Sequence, residues 1–406
     1  MTSSSRSVGR LNLIAACAGI STFGLAIGMT YPLLSLILEA KGVSTDRIGL
    51  NAAMMPLGIL FFAPFIPKIT RRFSRVKVAI FAAIVSALVI LAYKFWENEA
   101  AWFLIRFIQG MSMSTLFVIS EVWIVAFAGD AHRGKVVAIY GAVLAGSFGA
   151  GPAMIGWVGI DGWTPFVLGA LVVGLAILPM LWIKEPKDEG VDHDKGKTDH
   201  GQTDQTEETG ERRSLSFFGF AYKAPMLLMC VMAFSIFDAA TLSLLPVYGL
   251  QHGYDLAVSA NMLTALILGN TVLQLPLGWL ADKYPHRRLL MGCALLTTVM
   301  LLLLPLAIGT IWIWPIFIVM GTFGYGVYTV SLTALGDRFN GDELVSGSAA
   351  FATMWGCGAL LGSVSGGWSM AAFGSEGLPI HLALVYGLLV IGLLVRATAA
   401  GGKNGS

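Results

Sequence analysis

The sequence predicts an all-α membrane protein: twelve transmembrane helices in two pseudo-symmetric six-helix bundles. Three observations carry that prediction. Hydrophobic residues make up 56% of the 406-residue chain and charged residues only 12%, about half the charge of an average soluble domain. So little charge cannot coat a water-facing surface of this size. Twelve separate stretches approach the roughly 20 mostly apolar residues that a spanning helix needs. One polar stretch divides them six and six.

The first six predicted spans are 11–38, 47–67, 77–95, 100–128, 135–159 and 164–183; the second six are 223–250, 257–281, 288–309, 312–335, 345–372 and 379–398. Arg6 and Arg10 precede the first span as in a leader peptide, but Leu11 to Leu38 runs without a charge. A leader's apolar core has only about 7–15 residues, so this stretch is expected to remain as a helix. The domain reading is a bundle over 1–183, a linker over 184–222 and a second bundle over 223–406. From Lys184 to Arg213 almost no apolar residue occurs. Such a composition cannot bury a core, so residues 186–213 are expected to be disordered. His193 and His200 within them read as solvated.

Lysine and arginine placement sets the expected topology. With the N-terminus inside, one face holds Arg6, Arg10, Lys68, Arg71, Arg72, Arg75, Lys77, Arg133, Lys135, the linker, Lys223, Lys283, Arg287, Arg288, Arg338, Arg396 and Lys403. The other keeps only Lys41, Arg47 and Lys94. Both termini and the linker are therefore expected to be cytoplasmic. A shift of 211 residues lays Gly253 on Gly42, Gly269 on Gly58, Asp282 on Arg71 and Arg288 on Lys77. Two halves joined by a polar linker are the build of carriers whose site lies between repeats.

Enzyme chemistry is not expected. No Gly-rich phosphate loop or Ser-His-Asp spacing occurs, and all six histidines fall in predicted loops or near span ends. Cys17, Cys230, Cys293 and Cys357 lie far apart in apolar runs, which is neither a disulfide framework nor a metal spacing. The small net charge of +2 gives no sign of a nucleic-acid partner. No metal and no cofactor are implied.

Four motifs carry the functional reading. The first is GWLADKYPHRR, Gly278 to Arg288. Here Gly278 is expected to admit a neighbouring helix, and Asp282 to take bonds from a helix start or an arginine. Lys283, Arg287 and Arg288 complete a charged latch between the halves. The second is Arg106-Phe-Ile-Gln109-Gly110, about five residues inside a span. An arginine there is costly and marks a functional site unless it snorkels to the interface. The third is Gly151-Pro152 in a glycine-rich span, a packing device. The fourth is Ser120-Glu121-Val-Trp123 followed by an RGK triplet.

Together these motifs resemble the major facilitator superfamily over nearly the whole chain outside the linker. The Gly278–Arg288 stretch is similar to its G-x-x-x-D-K/R loop signature. The first-half counterpart, Pro67 to Lys77, departs from it: Pro67 and Arg71 stand where glycine and acid are expected. Arg106, Gln109 and Gly110 match the superfamily's R-x-x-Q-G pattern. Gly151-Pro152 resembles in part its antiporter motif. Ser120, Glu121 and Trp123 resemble the YcaD-like permease branch, a group of proton-linked or uncharacterised carriers. The resemblance implies a major-facilitator-type fold and a monomeric secondary transporter of the inner membrane. Its partners would be a small-molecule substrate, protons and membrane lipids.

Helix geometry adds an independent reading. At about 100° per residue, Arg106, Gln109, Met113, Phe117, Ser120 and Glu121 share one broad face. At about 1.5 Å per residue, Glu121 lies about 22 Å from Arg106 along the axis. Glu121 either lines a central cavity as a proton site or pairs with the basic loop. Asp238 stands some 15 residues from either end of its span; an acid at that depth is paired, protonated or facing water. It is the leading proton-coupling candidate, with a structural hydrogen bond to Ser235, Thr241 or a neighbouring helix as the alternative. Arg106, Gln109, Tyr140, Asn261, Asn270 and Gln274 are candidate substrate ligands, and Asn51, Tyr325, Trp123 and Trp355 are further polar or aromatic groups of the same kind. Arg106 and Asp238 are expected to face each other across the cavity. Two other readings remain at this point: a sensor or assembly protein on the same fold, and a lipid-handling carrier.

Overall fold

A computed structural model describes the backbone of residues 3–127, 133–183 and 217–401, and their side chains outside 3–12, 125–127, 133–138, 217–218, 274–275, 282, 341–342, 345 and 397–401. The expected linker disorder over 186–213 lies outside the described residues. So do the side chains of Gln274 and Asp282.

No strand occurs among the described residues. The first six helices are α1 (Ser3–Ala40), α2 (Thr45–Phe62), α3 (Arg75–Phe95), α4 (Glu99–Phe127), α5 (Arg133–Val158) and α6 (Thr164–Leu175). After a short helix, Phe217–Lys223, come α7 (Pro225–Gln251), α8 (Leu256–Lys283), α9 (His286–Ala307), α10 (Ile313–Arg338), α11 (Gly341–Phe373) and α12 (Gly377–Gly401). Ten of these are long and apolar enough to cross a bilayer. The apolar run of α6 is shorter, Thr164–Met180, and α11 is diluted by small residues over its 33-residue length.

The turns define two ends. At the linker end, α2 and α8 run further than the sequence suggests. A 3₁₀ turn at Ala63–Phe65 carries α2 into Ile66–Arg72. Pro64 enters this turn near its start, where a missing N–H costs little. Only residues 73–74 and 284–285 are left as turns. Of the motif Gly278–Arg288, the spans expected from sequence left 282–287 between helices; the helices take in all of these but 284–285. Bulky aromatics are exposed at both ends: Trp157, Trp163 and Trp312 at one, Trp182, Tyr222, Trp279 and Tyr284 at the other. Such belts mark the two interfaces of a bilayer.

At the end opposite the linker the few basic residues are neutralised. Lys41 and Lys94 pair with Glu97, and Arg47 with Glu99. The first cause acting on Glu97, the bond from Lys94, holds its carboxyl below the ordinary 4.5; Lys41 adds to the effect.

Within the bundles the helices meet at glycines, because without a strong hydrophobic drive in lipid close backbone approach must supply the attraction. A Cβ at Gly58 of α2 would strike the Phe107 carbonyl of α4, and one at Gly110 the Met55 carbonyl. The second half repeats this 211 residues on: Gly269 of α8 faces Ile318, and Gly321 of α10 faces Leu266. Gly151 of α5 packs on Gly28 of α1, and its counterpart Gly362 of α11 on Ile236 of α7. The turn glycines Gly42 and Gly253 also correspond, with φ of 73° and 79°, a region that disfavours other residues.

Proline sharpens the α1–α5 contact. Pro152 removes the amide that would bond Phe148, and the Phe148 carbonyl turns onto Gly28. Pro32 removes the amide that would bond Gly28, whose carbonyl meets Gly151. Both freed carbonyls thus find Cα–H neighbours. Gly278 does not follow its expectation: open space lies where its Cβ would stand. It admits no neighbouring helix, because α8 makes its close approach about two and a half turns earlier, at Gly269.

Candidate functional site

The site is built from α1, α4, α7, α10 and α11. Arg106 of α4 is 1% exposed. One guanidinium nitrogen donates to the Thr30 and Tyr31 carbonyls at 3.4 and 3.5 Å. The group lies 5.2 Å from the centre of the Tyr31 ring. Its Nε and Nη1 have no partner. Arg106 stands seven residues into α4; a charge buried inside a span is costly, and long, partial bonds to carbonyls offset little of that. The buried position also rules out snorkelling.

Gln109, one turn on, has both ends of its amide engaged. Tyr93 donates to Oε1 at 2.6 Å, and Nε2 donates to Thr30 Oγ1 at 3.1 Å. Thr30 in turn bonds the Ala26 carbonyl at 2.6 Å. This network fixes the α1–α3–α4 packing and positions the backbone on which Arg106 rests. Asn51 of α2 is fully buried with neither amide atom partnered. It stands one turn above Met55, which packs on Gly110, and Arg106 stands one turn above Gly110. The two unsatisfied groups therefore share one level of the bundle. Ser35 of α1 and Ser363 of α11 are likewise buried and unpartnered.

Asp238 of α7 is 7% exposed. Its carboxyl faces Tyr325 of α10 and Trp355 of α11. The Tyr325 hydroxyl approaches it and Thr241, but falls short of closed hydrogen-bond geometry. Neither neighbour suspected from sequence caps the acid. Ser235 donates to the Trp355 carbonyl, and Thr241 donates to the Phe237 and Asp238 carbonyls at 2.8 and 3.0 Å. An aromatic wall surrounds it: Tyr325 meets Phe234 and Phe237 edge-on, and Tyr328 stacks on Phe234 at 4.7 Å.

Arg106 and Asp238 form no ion pair. Tyr31 of α1 carries the Arg106 guanidinium near its ring and lies within the electrostatic field of both charges. Sequence reasoning missed it. The available signal was a tyrosine in mid-span next to Pro32, where a buried hydroxyl needs a polar partner.

The remaining candidates sit elsewhere. Glu121 is exposed on α4 toward the linker end, within electrostatic reach of Tyr140 and of Tyr328 in the other half. Tyr140 shares a hydrogen bond with Ser120 at 3.0 Å. Trp123 is buried. Asn261 of α8 lies against Gly156 of α5 near the opposite end, and Asn270 is half-buried. Lys283 stacks on Trp279 at 3.6 Å, and Arg287 donates to the Leu393 carbonyl at 3.3 Å. Arg288 is exposed. Among the described residues no cluster of metal-ligating side chains occurs.

Two hydrogen bonds cross between the halves among the described residues: Thr45 to the Gly367 carbonyl at 3.1 Å, and Gln251 to Glu39 at 2.9 Å. Both lie at the end opposite the linker. There Gly49 presses on the Ser363 carbonyl and Gly367 on that of Thr45.

The profile of the Major Facilitator Superfamily matches residues 16–335 and, in a second alignment, 256–405. The uncharacterized MFS-type transporter YfkF of Bacillus subtilis (strain 168) is 25% identical over 377 residues, which is 92% of this chain and 93% of the relative. A second uncharacterized MFS-type transporter, Ent638_1421 of Enterobacter sp. (strain 638), is 24% identical over 95% of each chain. Among solved structures, the nucleoside transporter NupG aligns with a TM-score of 0.76 at 10% identity, over 95% of this chain and 98% of that one. A bacterial homologue of the human lysosomal transporter Spinster, inward-facing and unoccupied, aligns with a TM-score of 0.69 at 14% identity, over 97% and 96%. At such identities the solved structures speak for the fold alone. With the twelve helices and the profile match over most of the sequence, this multi-pass membrane transporter belongs to the Major Facilitator Superfamily.

Proposed function

We propose that the protein is a secondary active transporter of the bacterial inner membrane, moving a small organic solute by alternating access and coupled to protons. The observation that carries this reading is Asp238: an acid buried in mid-span with no basic partner among the described residues, facing Tyr325 and Trp355 and within the electrostatic field of Tyr31 of the opposite half. A carboxyl so placed can exchange a proton as water access switches sides, and Glu121 offers a second step nearer the linker end. The unpartnered Nε and Nη1 of Arg106 and the amide of Asn51 suit a substrate with anionic or acceptor-rich groups.

Residues 1–183 and 223–406 act in this account as two rocking bundles tethered by a cytoplasmic linker. The contacts at the end opposite the linker support an inward-open arrangement. Gly278, Asp282, Lys283, Arg287 and Arg288 are the proposed latch that resets it. The Ser120-Glu121-Val-Trp123 likeness supports a place in the YcaD-like branch.

Thermal shift against a metabolite panel at two pH values identifies the substrate, since a ligand at a hundred times its Kd stabilises by about 2.7 kcal/mol. In proteoliposomes, Asp238→Asn then abolishes gradient-driven accumulation while binding persists. Accumulation with normal pH dependence in that variant moves the proton site to Glu121. Added protease cuts inside-out but not right-side-out vesicles within 186–213; the reverse pattern overturns the orientation.

A further inference from the structure

At the linker end of the second half, α7, α9, α10 and α12 enclose a cavity of about 450 Å³. Arg287, Arg338 and Arg396 line it, with His286 and Asp337. The single acid is engaged: His286 Nε2 and Asp337 are bonded at 2.8 Å. The arginines are not paired with it. Arg287 bonds the Leu393 carbonyl, Arg338 lies 5.4 Å from the Phe339 ring centre, and none of the three makes an ion pair among the described residues. His286 Nδ1 is buried and unpartnered.

Three guanidinium groups beside one bonded carboxylate leave a positive site. The fork geometry of each matches phosphate oxygens. The rest of the wall is apolar, with Leu227, Leu290 and Leu393 among its members. The exposed Leu394 and Val395 beside Arg396 continue that surface along α12. Tyr222, Trp279 and Tyr284, exposed at the same end, set the cavity at headgroup depth. A soluble anion has no use for the apolar wall; a lipid uses both.

We propose that this cavity binds the phosphate headgroup of an anionic phospholipid, its acyl chains running along α7 and α12. Basic pockets between spanning helices are suited to such headgroups, and each interfacial arginine contributes about a fivefold gain.

The test uses the full-length protein in nanodiscs of phosphatidylcholine with or without phosphatidylglycerol. Co-purified lipid is read by native mass spectrometry, and Arg338→Gln/Arg396→Gln is compared with wild type. Both arginines are exposed, and the melting temperature in pure phosphatidylcholine checks that the variant folds; Arg396→Gln alone serves if the pair does not. Wild type should retain phosphatidylglycerol over phosphatidylcholine on the order of tenfold, and the double variant should lose most of that preference. Equal retention of the two lipids, or a variant as selective as wild type, overturns the proposal. Displacement of the lipid by millimolar inorganic phosphate also overturns it, in favour of a soluble-anion site.

Discussion

In the first half Gly58 meets α4 at Phe107 and Gly110 meets α2 at Met55; in the second Gly269 and Gly321 make the equivalent crossing of α8 and α10. With the turn glycines Gly42 and Gly253, six glycines thus keep one spacing of 211 residues. The charges inside the spans do not. At that spacing Arg106 corresponds to Phe317, Glu121 to Leu332, and Asp238 to Ile27. Close backbone approach tolerates only glycine in both copies, so packing preserves the repeat. A buried charge is costly wherever it stands, so each is kept only where its chemistry is used. The proposed anchor, Arg106, lies in the first half and the proposed proton site, Asp238, in the second; Tyr31 lies within the field of both.

This division can be broken experimentally. The largest effect is expected at the anchor. Arg106→Gln removes charge-assisted bonds worth about 1.5–3 kcal/mol, so substrate affinity should fall between about tenfold and a hundredfold; unchanged affinity by thermal shift removes Arg106 from the site. The scaffold comes next. Gly110→Leu and Gly321→Leu force side chains into backbone contacts, at about 1–3 kcal/mol or more each. Comparable losses of thermal stability support an equivalent scaffold, and a loss at only one position breaks the comparison.

Tyr31→Phe deletes only the hydroxyl, which lies in the field of both charges, a change of about 1 kcal/mol. It should slow coupled uptake about fivefold and leave affinity near wild type; loss of affinity instead makes Tyr31 a substrate ligand. The smallest effect is at Glu97. Its carboxyl is held below its ordinary range by Lys94 and Lys41, so its contribution is present above about pH 4.5 and is lost as the pH falls further. The pair is exposed, so Glu97→Gln should change stability by well under about 1 kcal/mol at pH 7, with the difference vanishing by about pH 3. A larger penalty, or one that persists in acid, makes Glu97 structural.

Much of this was legible in the sequence. Twelve apolar runs became twelve helices, because the bilayer length and the composition constrain both. Asp238 and Arg106 stood out as charges inside such runs. Gly42 and Gly253 showed the repeat, but which glycines touch depends on helix rotation, which weak amphipathicity does not specify. Gly278 therefore faces open space while Gly321 carries a crossing. The second span was expected to end at residue 67, whereas a 3₁₀ turn lets the helix continue to Arg72. Gln109 read as a substrate group from its motif, and the structure shows Tyr93 and Thr30 occupying both ends of its amide. Tyr31 carried only a weak signal, a tyrosine inside a span next to Pro32, because its place near Arg106 and Asp238 depends on two distant spans.

The most direct test is whether the acid of one half sets the position of both. Spin labels at Asp161 and Thr310, exposed in turns of the first and second halves at the end opposite the linker, report the gap between the bundles. They are placed in a variant without Cys17, Cys230, Cys293 and Cys357. Pulsed electron resonance at pH 6 and pH 8 should show a shift in the distance distribution with Asp238 present, and a single unchanging distribution in Asp238→Asn. The same pH-dependent shift in both proteins contradicts the account.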